Sequence, residues 1–398
     1  MPGPGAYWFG KEEIEEVMEV MKSGYLFRYG SENDPKFLHK VSTLEKEFAR
    51  YCEAKFALAT SSGTSSLLAS ALALGLKPGD EIIVPAYTFV ASYTSVIFAG
   101  IVPVLSEIDE SLTLDPDYIE SRITPRTKAI MPVHMLGNPC DMNRIMAIAK
   151  KHNLLVLEDS CQATGASYKG KKAGTIGNIG AFSLNIFKTI NSGDGGLIVT
   201  NDKLLLETAF GVHDQGHKPM RFGVEVGTRN VLGLNLRMNE ITAAVGLAQL
   251  GKIDKIINTL REKRSKFKNL ISESEAKGFK FRTLNDPEGD CATLCTVIFD
   301  TKEQAAKVSK VLGSKTVDQS GWHVYSNMEH VLNHLKSVGQ PHTKGSYPKT
   351  DDILSRAMNI SIGVVDGGLG SGWGININSS DAEIEAAAKQ FIDACKHL

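Results

Sequence analysis

The chain has 398 residues, 42% of them hydrophobic and 22% charged, and a formal charge of -1; that length calls for one large core and a second smaller one, since single cores stop growing near about 250 to 300 residues. The near-neutral balance gives no electrostatic reason to expect nucleic acid or a membrane surface as a partner. Six cysteines without a CxxC pair argue against a disulfide framework and a structural zinc site, and the lack of an apolar leader or a long apolar run points to a cytoplasmic chain.

In chain order, residues 1–37 carry one helical pattern, KEEIEEVMEVMKSG (11–24), expected to pack back on the C-terminal portion. From 38 to 250 short β-rich apolar runs alternate with helical segments. Strands are expected over FALAT (56–60), EIIVPA (81–86), VPVLSEI (102–108), KAIMPVHM (128–135), LLVLED (154–159), GAFSL (180–184) and GLIVTN (196–201), with helices over 64–75, 89–99, 141–152 and 203–213. Strands separated by helices imply an α/β domain whose seven-stranded, mostly parallel sheet is sandwiched by helices. Its ligand should then lie at the carboxyl ends of the strands. A charged helix beginning at Lys252 changes the texture, so a smaller α+β C-terminal domain is expected over 251–398, with the boundary near 250.

Three places on this framework carry chemistry. Asp159 ends a strongly apolar strand and should emerge at the carboxyl edge; alone it reads equally well as a cap after a strand. Lys188 lies between Phe187 and Thr189 in an apolar, glycine-rich stretch, where partial burial would make its amine a usable nucleophile. SSGTSS (61–66) opens a helix, so the amides of Gly63 and Thr64 can face an anion; alone this pattern is better explained as an ordinary N-cap. Together they suit pyridoxal phosphate, which needs an amine to condense with its aldehyde, an anion to hold its ring nitrogen protonated, and a phosphate corner.

His213 and His217 have i, i+4 spacing, but Gly216 makes a continuous helix improbable there, and a substrate-contacting loop is the better functional reading; no metal is expected. His330 and His334 read as surface or interface residues. GASYKGKK (165–172) fails as a P-loop because Lys172 stands where a hydroxyl must hold magnesium. GTIGNIG (174–180) precedes a strand where a dinucleotide fingerprint follows one.

The ordered segments Gly63-Thr64, PAYTFVAS (85–92), EDSCQATGA (158–166), FSLNIFK (182–188), GDGG (193–196) and GLNLRMNEITAA (233–244) resemble the DegT/DnrJ/EryC1/StrS aminotransferases. This family of fold-type-I pyridoxal phosphate enzymes acts mainly on keto sugars. The resemblance implies that Lys188 is the lysine joined to the cofactor, Asp159 the partner of its ring nitrogen, Gln162 a contact to its ring hydroxyl and Phe89 the aromatic stacked on its ring. Gly63, Thr64 and Ser183 would bind the phosphate, and Asn235 would reach it from the neighbouring subunit of a homodimer. It further implies transamination from an amino donor, most often glutamate. Relatives that instead dehydrate sugars carry histidine at the lysine position, and a non-catalytic regulator would have lost Lys188 or Asp159.

The segments GYLFRYGSEND (24–34), HMLGNPCDM (134–142), HDQGH (213–217) and PEGD (287–290) are similar to the branch that aminates the 8-oxo derivative of 3-deoxy-manno-octulosonate (Kdo), within lipopolysaccharide sugar synthesis. Such an acceptor carries a carboxylate, for which Arg28 or Arg229 would be the cationic partner. A nucleotide-linked ketosugar is the alternative acceptor.

Overall fold

The computed structural model describes residues 3–219 and 231–396. All seven expected strands form, as β1 (Phe56–Thr60), β2 (Glu81–Pro85), β3 (Val102–Ser106), β4 (Thr127–Ile130), β5 (Leu155–Asp159), β6 (Ile179–Ser183) and β7 (Gly196–Thr200). They make one sheet in the order β1-β7-β6-β5-β4-β2-β3. Neighbours from β6 to β3 pair in parallel, and β7 alone runs against both of its partners. Strands β2, β6 and β7 are buried at every residue, which is why their sequences read as unbroken apolar runs. Strand β4 is shorter than its apolar run, ending at Ile130; Pro132 lacks the amide that a central strand must donate.

Helices Gly63–Ala73, Ala91–Phe98, Met142–His152 and Lys203–His213 fill the connections as expected. The helical returns between parallel strands leave loops at the carboxyl ends of those strands. Among the described residues, no helix is long and apolar enough to cross a membrane.

The C-terminal portion is built on an antiparallel sheet of β8 (Phe279–Phe281), β9 (Leu294–Phe299) and β10 (Ala357–Ser361). Helix Ile253–Ser272 buries Ile253, Ile256, Ile257, Leu260, Phe267 and Ile271, one apolar stripe at helical spacing, and packs beside helix Asp381–Cys395. Removing such side chains from water contributes roughly 1.5 to 3 kcal/mol each.

The N-terminal helix Lys11–Ser23 lies elsewhere than expected: it packs along helix Glu240–Leu250, at the end of the large unit. Its buried Glu13 accepts hydrogen bonds from Gln249 and Lys252 at 2.7 Å each, and that demand for polar partners decides where it docks. What comes before the helix does reach the C-terminal portion, where the Trp8 indole donates to Asn378.

Candidate active site

The loops at the carboxyl edge enclose a cavity of about 430 Å³, walled by residues of both units, Lys188 and Asp159 among them. Asp159 is the last residue of β5 and only 4% exposed. Its Oδ2 accepts from the Ser92 hydroxyl at 2.7 Å and its Oδ1 from the Cys161 amide at 3.1 Å. An ionised carboxylate offers about four acceptor positions, so capacity for a further donor remains. Strand alternation sends the preceding residue the opposite way. Glu158 is wholly buried on the other face, accepting from His134 Nε2 and from the amides of Gly174, Ile176 and Gly177. The Cys140 amide donates to His134 Nδ1 at 3.0 Å, so the ring keeps its proton on Nε2, towards Glu158.

Lys188 sits near the tip of the connection from β6 to β7. Backbone bonds between Leu184 and Gly195 and between Ile186 and Gly193 continue the antiparallel pairing outward and hold that tip over the sheet edge. Burial pushes the Lys188 amine below the ordinary lysine range, while Cys161, Asp159 and Asp366 act in the opposite sense. The loss of hydration outweighs three neighbouring acidic groups. Its ammonium lies 5.9 Å from the centre of the Phe89 ring. Phe89, 39% exposed, is backed by His323 with ring centres 5.3 Å apart.

The phosphate-type corner takes shape where helix Gly63–Ala73 starts. Ser62 caps the helix by accepting from the Ser65 amide at 3.1 Å. The cap and the anion corner coexist, because the Gly63 and Thr64 amides have no earlier carbonyl to bond and line the cavity with Ser183. A Cβ on Gly63 would stand 2.7 Å from Ser183 Cβ and 3.0 Å from Cys161 Sγ. Only glycine lets the backbone come this close.

Gln162 also lines the cavity, its Oε1 accepting from the Leu136 amide at 3.1 Å. Leu136 (φ 57°) and Gly137 (φ 80°) are both left-handed, and a Cβ on Gly137 would meet Cys291 Cβ at 2.8 Å. The C-terminal portion grips this turn: Arg282 donates to the Met135 and Leu136 carbonyls and pairs with Asp290, which Arg264 also pairs. Three buried charged groups therefore support one turn of the cavity wall.

Other expected contacts stand elsewhere. Arg28 is buried, donating to the Ala59 carbonyl at 3.2 Å, to Glu45 at 2.9 Å and to His213 Nε2 at 3.1 Å. His213 is fully buried; with Nε2 accepting from Arg28, its Nδ1 donates to the Phe210 carbonyl. Burial, reinforced by the Arg28 charge, pushes its pKa down to about 3. Neither residue lines the cavity of this chain; both belong to a buried network beside it. His217 follows in a turn closed by its amide on the Asp214 carbonyl, and Arg229 lies outside the described residues. Among the described residues, no cluster of three or more metal-ligating side chains forms. Asn235 is exposed, away from the cavity of its own chain.

The cavity also holds residues that sequence reasoning passed over, chiefly Thr88, Ser92, Cys161, Trp322, His323 and Asp366. Thr88 and Ser92 had a signal in their i, i+4 spacing at a helix start. The last three come from the C-terminal portion, where no periodicity or motif marked them.

The model of the DegT/DnrJ/EryC1/StrS aminotransferase family matches residues 9–365. A GDP-perosamine synthase from Caulobacter vibrioides is 42% identical over 244 residues, covering 61% of this chain and 62% of that protein, just under two thirds of its length. A second GDP-perosamine synthase, from Escherichia coli O157:H7, is 39% identical over 264 residues, 66% of this chain and 69% of the other. Among solved structures, an aminotransferase from Psychrobacter cryohalolentis superposes with a TM-score of 0.80 at 26% identity, over 99% of this chain and 97% of that one. With a match spanning nearly its whole length and a fold-type-I architecture around the cavity, the chain belongs to the DegT/DnrJ/EryC1/StrS aminotransferase family.

Proposed function

We propose that this chain is a pyridoxal phosphate-dependent aminotransferase that converts an amino acid and a keto or aldehyde sugar into a keto acid and an amino sugar. The observation that carries this reading is that Lys188, Asp159 and the Gly63-Thr64-Ser183 corner share one cavity. The donor set fits the cofactor: an amine of lowered basicity, a carboxylate with acceptor capacity to spare, an aromatic face, and a helix start too tight for any side chain at Gly63.

When bound, the cofactor supplies a conjugated ring that takes up the electron pair left on a carbon losing its proton. Lys188 is the residue that anchors it. Lys188 Nζ would take the proton from the donor α-carbon and, in the return half, would deliver a proton to the sugar carbon. Its lowered basicity makes the neutral amine available at lower pH than for an exposed lysine. Asp159 would hold the ring nitrogen and Phe89 would cover the ring, while the NH₂ of Gln162 remains to donate, its Oε1 accepting from Leu136. The first amides of helix Gly63–Ala73 and the Ser183 hydroxyl receive the phosphate.

Glutamate is our proposed donor, and two copies of the chain our proposed working unit, with Asn235 reaching the cavity of the other copy. Exposed Leu232 (96%) and Leu234 beside Asn235, with Ile186 and Phe187 near the cavity mouth, support an apolar contact there. The acceptor we propose is the 8-oxo derivative of Kdo, supported by the four loop resemblances; one of these loops contains Leu136 of the cavity wall. A nucleotide-linked ketosugar is the second reading, favoured by the GDP-perosamine synthases at 42% and 39% identity and by the sealing of Arg28 away from any substrate carboxylate.

The test is a half-reaction assay started from the aminated form of the cofactor. Return of a visible band at roughly 410 to 430 nm on adding 8-oxo-Kdo supports the octulosonate reading. Return only with nucleotide-linked ketosugars replaces it, and return with neither class removes the sugar assignment.

A further inference from the structure

Thr88, Ser92 and Asp159 are 0%, 1% and 4% exposed, and their side chains run in a line. Ser92 Oγ lies 2.7 Å from Asp159 Oδ2, and Thr88 Oγ1 lies 2.6 Å from Ser92 Oγ. An ionised carboxylate only accepts, so the Ser92 hydroxyl donates to Asp159. With its single proton spent, Ser92 accepts from Thr88, which fixes the direction of the whole chain. The start of the line is anchored from the C-terminal portion, where the Thr88 amide donates to the His323 carbonyl at 3.0 Å and the Val90 amide to that of Trp322 at 2.9 Å.

We infer that Thr88 and Ser92 form a hydroxyl relay that positions the Asp159 carboxylate and keeps its negative charge turned to the cofactor's ring nitrogen, an inference that rests on Asp159 being the partner of that nitrogen. Between a ring nitrogen and a carboxylate one proton can sit on either atom. Donors to the carboxylate favour its charged form, which leaves the proton on the nitrogen. Hydroxyls in series polarise one another, so Thr88 strengthens what Ser92 donates. The Cys161 amide on the other oxygen completes a two-point grip on the carboxylate's orientation. Both hydroxyls are positioning residues, acting on the reacting atoms only through Asp159.

A purely structural role, two buried hydroxyls satisfying each other, makes a different prediction. If the relay controls charge at the ring, its loss leaves the nitrogen less positive, and the bound cofactor's visible band keeps its protonated form to higher pH. Parent protein, Lys188→Ala, Ser92→Ala, Ser92→Thr and Thr88→Val are loaded with pyridoxal phosphate, and the band is titrated from about pH 5 to 10, with thermal melts as a check on folding. Ser92→Ala is expected to raise the pH midpoint by about one unit and weaken cofactor binding about tenfold. Thr88→Val, nearly isosteric, moves the midpoint roughly half as far, and Ser92→Thr restores it.

A folded Ser92→Ala that binds the cofactor with the parental midpoint overturns the relay. If that variant does not fold, an unshifted Thr88→Val overturns it instead. Absence of any Lys188-dependent band in the parent protein overturns the cofactor reading and the relay together, whereas an unshifted midpoint in a variant that keeps the band removes the relay alone.

Discussion

The cavity corner at β5 and the network around Arg28 use the same currency of buried charge to opposite ends. At the cavity, Asp159 accepts two hydrogen bonds and keeps acceptor capacity towards open space. Against β1, Arg28 divides its donors among Glu45, Ala59 and His213, while Asp214 beside them accepts from Tyr29 at 2.6 Å and pairs with Arg237. One region turns its spare capacity to a cavity where a ligand can use it; the other spends most of its capacity on itself, and the Arg28 Nε left without a partner is buried away from the cavity. Adjacent Glu158 and Asp159 repeat the contrast across a single strand. What marks a charged residue as functional here is unspent hydrogen-bonding capacity facing a cavity.

The contrast separates two kinds of variant. Lys188→Ala should lower transamination by about 10⁴-fold, at the upper end for loss of a residue that both anchors and moves a proton, and leave the melting temperature unlowered, because the half-buried side chain faces the cavity and not the core. A melt that falls with the activity would place Lys188 among structural residues. Glu45→Ala should show the reverse: it leaves the Arg28 guanidinium buried without its carboxylate, costing about 3 kcal/mol in chemical denaturation. Per-site turnover of the folded fraction should stay near that of the parent. Asp159→Asn should reduce turnover about 10²-fold with a small change in stability, since the amide keeps one acceptor but loses the charge facing the ring. Equal losses of stability in the Glu45 and Asp159 variants would erase the distinction between the two regions.

Much of this was legible in the sequence because the large unit follows short-range rules. The apolar runs located all seven strands within a residue or two except at β4, which ends at Ile130 and keeps only isolated pairing with β5 around Pro132. Asp159 and Lys188 were visible because the first ends and the second follows a buried strand whose end the pattern locates. The pairing of Arg28 and His213 was not legible, because a sequence shows that a residue is charged and not what it is paired with; Arg28 finds Glu45, Ala59 and His213 on elements distant in the chain. His323 and Asp366 were invisible for a related reason. They reach the cavity through the packing of one unit on the other, which no local period encodes. The docking of helix Lys11–Ser23 was missed likewise, since it turns on Glu13 finding Gln249 and Lys252.

The last expected effect is a pH dependence, read per pH unit, and it probes the buried network alone. His213 has a folded-state pKa of about 3 against 6.5 for an ordinary histidine. Above pH 6.5 it is neutral in folded and unfolded chains alike, so its network keeps full strength. As pH falls below 6.5 the unfolded chain takes up a proton that the folded ring refuses, with Arg28, Arg237 and the Phe210 carbonyl filling its surroundings. Stability is then lost at up to about 1.4 kcal/mol per pH unit until the pH nears the folded value. Carboxylates elsewhere titrate over the same range, so the informative quantity is the difference between the parent and His213→Gln, whose amide does not titrate and whose oxygen can accept from Arg28. That difference in unfolding free energy should favour the parent at pH 7 and shrink between pH 6 and 4. A constant gap would show that His213 takes up its proton in the folded state, and hence that the Arg28 network is open to solvent.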